Sequence, residues 1–346
     1  MVIRQDSSTG LRLIVAIHST VLGPALGGLR LRRYPGGLRE ARDDALALAR
    51  TMTLKASAAG LELGGGKAVM LDDGRQELRA ARMDAAAEVI EGLQGAYITA
   101  EDIGTTTEDM DRIARRTRFV VGRSRGHGGG GDPSPITAET VFRAICLGLA
   151  AACGSAEPEG RRIGVVGVGK VGSALAAKLA AAGASLVVCD LDRQRAERVA
   201  DEHGCRVASS LEAILAAELD VLAPCATGGL IDGALARSID CRVIAGAANN
   251  PLTGREVAWT LARRGVLYVP DFLANCGGLI QVEAEWRGSD RQVVRRRVDR
   301  ALERLEHALE ASRREGLTPL AVAERGALER LRGASAARAP LAAHAA

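Results

Sequence analysis

Lysine is almost missing from this sequence: four residues (55, 67, 170 and 178) stand against 42 arginines in 346. Asparagine, phenylalanine and tyrosine number three each. This is the pattern of a GC-rich coding bias. A lysine that survives such a bias is a candidate for chemistry that arginine cannot do, because a buried lysine can lose its proton. Lys178 falls in a helical pattern, where chance survival explains it. No stretch of about 18 consecutive apolar residues occurs, which argues against a transmembrane helix. Residues 1–10 lack the apolar centre of a signal peptide. The seven cysteines are odd in number, scattered and free of CxxC pairs, which argues against a disulfide framework and a zinc site and for a reducing cytoplasm. No other spacing suggests a metal. The formal charge of 46 − 42 = +4 is too small to imply a nucleic-acid partner.

What remains is 47% apolar and 25% charged, the composition of a globular protein of two or three domains. Residues 11–18 (LRLIVAIH) read as a strand. Residues 38–55 read as a helix, with Ala41, Ala45, Leu48, Met52 and Lys55 on one face. That spacing puts Lys55 on an apolar face. Residues 60–66 (GLELGGG) read as a glycine-rich turn, followed by Lys67 and an apolar run at 68–71. Residues 84–93 read as a helix and 97–99 as a short strand leading to Glu101 and Asp102. Residues 126–135 (GHGGGGDPSP) form the strongest break in the chain, with Thr137 as the N-cap of the next helix. From residue 162 short apolar runs alternate with helical stretches, which implies a parallel, doubly wound sheet. A helix over roughly 290–313 buries Val294, Val298, Leu302, Leu305 and Leu309. Its arginines alternate with acids, as on a solvated face. Residues 333–346 are Ala-rich and read as a frayed tail.

Three constellations carry chemistry. Gly167-Val168-Gly169-Lys170-Val171-Gly172 is a GxGxxG turn that follows a strand and opens a helix, with Asp190 ending the next strand. That context reads as a dinucleotide site: the glycines admit a pyrophosphate to a helix N-terminus, and the carboxylate meets ribose hydroxyls. Asp190, reinforced by Asp192, repels a 2′-phosphate and favours NAD over NADP, with Arg193 nearby as a counterweight. The second constellation is Met52-Thr53-Leu54-Lys55 with Gly64-Gly65-Gly66-Lys67. Two neighbouring ammonium groups repel, so one should lose its proton more readily and serve as a general base while the other holds a carboxylate. The third is Glu101-Asp102, an acidic pair at a strand end, read equally well as catalytic or as capping a loop.

The segments GPALGGLR (23–30), MTLKASAAGLELGGGK (52–67), YITAEDIGTT (97–106), DPSPITA (132–138), APCATGG (223–229), GAANNPL (246–252) and PDFLANCGGLIQV (270–282) closely resemble the Glu/Leu/Phe/Val amino-acid dehydrogenases, in their leucine/valine/phenylalanine branch. The resemblance runs from about residue 10 to about residue 325. It implies an α/β protein of two domains with an interdomain cleft. Residues 1–134 would be the substrate-binding, catalytic and oligomerisation domain. Residues 135–306 would be a Rossmann-type NAD-binding domain, and 307–346 helices returning to the first domain. The implied reaction is the NAD-dependent, reversible oxidative deamination of an L-amino acid to a 2-oxo acid and ammonia by a homo-oligomer, with no nucleic-acid or membrane partner. Lys55 would bind the substrate α-carboxylate. Lys67 would activate water for attack on the imino acid, and Asp102 would exchange a proton with the substrate nitrogen. Thr137 would lie near the nicotinamide. Ala223, Pro224, Cys225, Ala226 and Asn249 would line the cofactor, with Asn249 or Asn250 near the nicotinamide ribose or substrate.

The glutamate branch carries a lysine in GPxKGG; here the position is Leu26. An apolar residue offers no partner to a second carboxylate. Leu26, Gly27, Met52, Ala100, Leu279 and Val282 are therefore expected to surround an apolar side chain, valine or leucine ahead of phenylalanine. The alternatives are a glutamate dehydrogenase and an inactive NAD-binding regulator. Three departures from the branch stand out. Lys170 and Gln281 replace expected asparagines, and the glycine run 128–131 replaces a serine-bearing loop, which suggests a looser hinge. The N-terminus is also shorter than in the leucine enzymes, by about a dozen residues on that resemblance.

Overall fold

The computed structural model describes residues 1–338, and the chain divides into two compact units. The first comprises residues 1–132, 281–294 and 326 onward; the second comprises 133–280 and 295–325. The chain thus changes unit within three C-terminal helices, where one boundary at 306/307 was expected.

The first unit is built on a mixed sheet of β1 (Val2–Asp6), β2 (Leu11–Ser19), β3 (Ala25–Arg32), β4 (Gly64–Leu71) and β5 (Tyr97–Glu101), in the order β1-β2-β4-β3-β5. β2 runs antiparallel to β1 and β4, and β3 lies parallel between β4 and β5. Helix α1 (Gly37–Ala58) packs on one face over Ile14, Ala16, Val69 and Leu71. Helices α2 (Arg79–Gly92) and α3 (Thr107–Ile113) cover the other face, with Leu13, Val15, Ala68, Met70 and Tyr97 between.

Two sequence expectations change here. Residues 64–66 are strand, not turn. The glycines are there because neighbours press on the strand: a Cβ on Gly65 would sit 2.1 Å from the Thr53 backbone nitrogen, and one on Gly66 would sit 2.7 Å from the Tyr97 ring. GPALGGLR, which lacks strand periodicity, supplies the interior strand β3 for the same reason. The buried stripe of α1 is Ala41, Ala45, Ala49, Thr53 and Ala56, with Leu48, Met52 and Lys55 half-buried at its flank. The helix lies so close to the sheet that small residues form the contact.

The second unit begins with α4 (Ser134–Cys153). Its strands are β6 (Arg162–Val166), β7 (Ser185–Cys189), β8 (Arg206–Val207), β9 (Val221–Pro224), β10 (Val243–Ile244) and β11 (Leu267–Tyr268). Between them lie α5 (Lys170–Ala181), α6 (Arg193–His203), α7 (Leu211–Leu215), α8 (Gly233–Ser238) and α9 (Arg255–Arg263). After β11 come α10 (Asp271–Ala274), α11 (Gly277–Trp286), α12 (Arg291–Glu315) and α13 (Pro319–Arg338). The sheet order is β11-β10-β9-β6-β7-β8, all parallel, which is the doubly wound dinucleotide topology with its switch point between β6 and β9.

Helix α4 is long and apolar enough by composition to cross a bilayer, yet it buries Val141, Ala144, Ile145 and Leu149 beneath the sheet of its own unit. Its Thr137 is not the N-cap: the helix starts three residues earlier, and the Thr137 hydroxyl donates to the Pro133 carbonyl at 2.9 Å. Lys178 pairs with Glu139 at 2.6 Å. Helix α12 buries Val298, Leu302, Leu305 and Leu309 as expected, joined by Ala301 and Ala308, while Val294 is half-buried. Residues 333–338 continue α13 instead of fraying, and the rest of the expected tail lies outside the described residues.

Candidate active site

Strand alternation assembles the first cluster. Side chains point to opposite faces along a strand, and Ile14, Ala16, Val69 and Leu71 define the face toward α1. Parity then places Leu26 and Arg30 of β3, Lys67 of β4, Ala100 of β5 and the following Asp102 on that same face.

The Lys67 side chain is 4% exposed and donates its ammonium to Oδ2 of Asp102. Oδ1 of Asp102 is held by Arg30 Nε at 2.9 Å. Arg30 reaches on through Nη1 to Asp44 of α1 at 3.1 Å, and the Tyr34 hydroxyl donates to Asp44 at 2.6 Å. Behind Asp102, Thr105 accepts its backbone N–H at 2.9 Å and donates to the Leu29 carbonyl at 2.9 Å.

Burial pushes the Lys67 ammonium below the ordinary lysine range; Asp102 opposes that shift and Arg30 adds to it. Burial alone would raise Asp102, but Lys67 and Arg30 outweigh it and hold the carboxyl below its usual value. The expected lowering of a lysine is present, but its cause differs. Desolvation comes first, and the Arg30 guanidinium adds to it.

Of the other expected residues, Leu26 is 2% exposed and Ala100 7%, in adjacent strands. Gly27 allows close strand packing, since a Cβ there would sit 1.8 Å from the Gly66 carbonyl oxygen. Met52 and Lys55 are half-buried on α1. Val282 is buried in the first unit and Leu279 in the second. Arg30, Asp44, Tyr34 and His18 were missed. The His18 ring accepts or donates to Thr53 at 2.9 Å, and burial followed by Arg50 lowers its proton affinity. Arg30 stood inside a quoted motif, but one arginine among 42 gives no compositional signal.

The second cluster lies in the second unit at the switch point. Gly167 follows β6 with φ +93°, and a Cβ on Gly172 would sit 2.0 Å from the Gly167 carbonyl oxygen. A Cβ on Gly169 would meet nothing within 4 Å. The turn is therefore closed on the protein side and open over the N-terminus of α5, which fits a pyrophosphate. Val168 is buried, Lys170 exposed, and Val171 half-buried on α5. Ala223 and Pro224 end β9, and Cys225–Ala226 packs against the glycine turn. Burial pushes the Cys225 thiol up to about 12.

Asp190 accepts the Val168 N–H at 2.8 Å and the Asp192 N–H at 2.9 Å, with Arg195 at 3.5 Å. Arg193, the expected counterweight, pairs instead with Glu197 at 2.8 Å. Asn249 accepts from Asn275 Nδ2 at 3.1 Å, and the Asn250 N–H reaches Asp271 at 2.7 Å. All three asparagines of the chain thus gather in one loop cluster. Thr137 lies beside Gly278, whose Cβ would sit 2.8 Å from its hydroxyl.

A third assembly holds down the glycine run. In the first unit, Glu285 accepts the N–H groups of Gly122 at 3.0 Å, Arg123 at 3.3 Å and Gly130 at 2.9 Å. Gln281 donates to the Gly130 carbonyl at 3.2 Å and the Gly131 carbonyl at 3.1 Å. Two departures from the family pattern, the glycine run and Gln281, thus meet.

Residues 2–119 match the Glu/Leu/Phe/Val dehydrogenase dimerisation domain, and residues 190–338 match the glutamate/leucine/phenylalanine/valine dehydrogenase domain. The leucine dehydrogenase of Thermoactinomyces intermedius is 40% identical over 331 residues, 96% of this chain and 90% of that enzyme. The chain belongs to the Glu/Leu/Phe/Val dehydrogenase family. It is an amino-acid dehydrogenase, an oxidoreductase acting on a CH–NH2 donor, and pyridine-nucleotide dependent. The valine dehydrogenase of Streptomyces virginiae is 39% identical, over 96% of this chain and 93% of that enzyme. The solved L-tryptophan dehydrogenase of Nostoc punctiforme superposes with a TM-score of 0.81 at 32% identity, over 97% of this chain and 96% of that one.

Proposed function

We propose that this dehydrogenase uses NAD to deaminate a hydrophobic L-amino acid, valine or leucine ahead of phenylalanine, reversibly to the 2-oxo acid and ammonia. The observation that carries the reading is Leu26: a buried apolar side chain occupies the sheet face that also holds the Lys67–Asp102 pair. A substrate with a second carboxylate would find no cation at that position. One methylene changes discrimination by only about 1–3 kcal/mol, so overlapping activity on aliphatic substrates is expected. Reduction of NAD and NADP, followed by absorbance with a panel of L-amino acids, tests the reading. Glutamate as the best substrate, or no activity with any amino acid, refutes it.

When bound, the nicotinamide would supply the hydride acceptor. Lys55 binds the α-carboxylate, and Lys67, favoured in its neutral form by burial, takes a proton from water as that water attacks the imino carbon. Asp102 exchanges a proton with the substrate nitrogen and is bonded directly to Lys67. Lys55→Ala should lower kcat/KM for the amino acid about ten- to a hundredfold, mainly through KM, as expected for a lost charge-assisted bond. An unchanged KM removes this role.

Thr137, Gly167, Gly169, Gly172, Asp190, Ala226 and Asn249 hold the cofactor in this reading. A carboxylate has about four acceptor positions, so Asp190 can receive ribose hydroxyls while keeping its two backbone bonds. Its charge opposes a 2′-phosphate. Asp190→Ala should weaken NAD binding and narrow the preference over NADP, and binding titrations of each nucleotide read this without turnover. Equal wild-type affinity for both contradicts the assignment. The matched dimerisation domain supports a homo-oligomer, and seven scattered cysteines with no CxxC pair support a reducing cytoplasm.

A further inference from the structure

The roles assigned to Lys67 and Asp102 leave Arg30 without one, although it touches the same carboxylate. We propose that Arg30 is a positioning residue of the active site: by holding Oδ1 of Asp102 while anchored to Asp44, it reserves Oδ2 for Lys67 and sets the orientation of the pair. This rests on the reading of Lys67 and Asp102 given above.

The geometry is specific. A carboxylate with one cation can rotate and share either oxygen. Here each oxygen of Asp102 has its own cation, Lys67 on one and Arg30 Nε at 2.9 Å on the other. Arg30 itself is fixed. Its side chain is 13% exposed, and Nη1 bridges to Asp44 at 3.1 Å, with Asp44 tied to the Tyr34 hydroxyl at 2.6 Å. The chain of contacts runs from α1 through β3 to the end of β5, so three elements must agree before Asp102 is placed. A planar guanidinium can serve two carboxylates at fixed angles; an ammonium cannot. Gly28 completes the fit, because a Cβ there would sit 2.6 Å from Asp102 Cβ.

A second consequence follows from the charges. Those acting on Lys67 are Asp102 after β5, Arg30 of β3 and Asp44 of α1. β2 places uncharged Ala16 opposite Lys67, with His18 farther along the strand, and Lys55 lies farther along α1. Arg30 is a cation among them that disfavours the protonated form of Lys67. Removing it should move the rise of deamination activity to higher pH.

The experiment compares Arg30→Gln, Arg30→Lys and Asp44→Asn with the wild type, reading kcat, KM, the pH profile of kcat/KM and thermal stability. Arg30→Gln is expected to lower kcat about tenfold or more, as loss of placement in a catalytic pair does. It should also shift the acid limb upward by roughly half a pH unit or more. Arg30→Lys should return the limb toward the wild-type position, because the charge remains. It should restore only part of kcat, because the fork is lost. Asp44→Asn should lower kcat less than Arg30→Gln. A purely structural arginine would lower stability without moving the limb, and that result overturns the proposal. So does a folded Arg30→Gln enzyme with wild-type kcat and profile. If Arg30→Gln fails to fold, full kcat in Arg30→Lys overturns it. Lys67→Ala separates the two readings. Activity surviving that change defeats the roles of the pair and this inference with them. Activity lost there but kept in Arg30→Gln defeats the inference alone.

Discussion

Replacing Lys67 with alanine should reduce turnover of the preferred amino acid by about 10²–10⁴-fold, the usual contribution of a positioned general base. The loss should appear in kcat, while NAD affinity stays intact, because the glycine turn lies in the other unit. The fold should survive. Removing one partner of a buried ion pair is costly when it strands the other charge, but Asp102 keeps Arg30 at 2.9 Å and its bonds to Thr105. Thermal melting of the variant separates lost chemistry from lost structure. The wild-type profile carries a matching sign. Burial lowers the Lys67 proton affinity, so the neutral base appears at lower pH than a solvated lysine allows. Deamination should rise with pH through a value below 10.5, and this limb should vanish in the variant. Retention of more than about a tenth of wild-type turnover in a folded protein shows that Lys67 is not the base.

The second large effect concerns substrate choice. Leu26→Lys should collapse kcat/KM for valine and leucine. An ammonium at a position 2% exposed, on a face that already carries Lys67 and Arg30, has no carboxylate to meet when the substrate side chain is apolar. Burying an unpaired polar group costs about 1–3 kcal/mol in proteins, and an unpaired charge more; 3 kcal/mol is about 140-fold in rate at 1.4 kcal/mol per decade. Glutamate activity should appear only weakly, because a distal carboxylate needs a second donor and Val282 cannot donate. Leu26→Lys with Val282→Ser should accept glutamate better than either change alone. The comparison is kcat/KM for valine, leucine and glutamate across the four proteins. If Leu26→Lys leaves the aliphatic substrates untouched, Leu26 does not line the pocket and the exclusion of glutamate loses its main support.

Of the two lysines that composition marked as unusual, Lys67 lies in the sheet paired with Asp102, and Lys55 is half-buried on α1. The glycine turn was equally legible, because strand, turn, helix and distal acid are all local in sequence. What could not be read is what depends on close approach between distant segments. The glycines of β4 look like a turn because nothing nearby in sequence shows that α1 and Tyr97 press on that strand. The stripe of α1 was displaced for a related reason: alanines, not the larger Leu48 and Met52, face the sheet. Arg30 was hidden because its partners lie 72 and 14 residues away, and arginine is the commonest charge in this chain.

The strap at residues 122–132 has a consequence for proteolysis. An exposed run of glycines flanked by Arg123 and Arg125 is the kind of segment trypsin nicks first, because a protease must draw its substrate into an extended, unpaired conformation. Here that cannot happen without breaking the bonds from Gly122, Arg123 and Gly130 to Glu285 and those from Gln281 to Gly130 and Gly131. The glycines are themselves committed. Gly128 and Gly131 hold φ of +80° and +74°, and a Cβ on Gly129 would lie 2.0 Å from the Arg123 carbonyl oxygen. A stretch with the composition of a spacer is therefore expected to resist cleavage while folded and to reject the side chains a true spacer would accept.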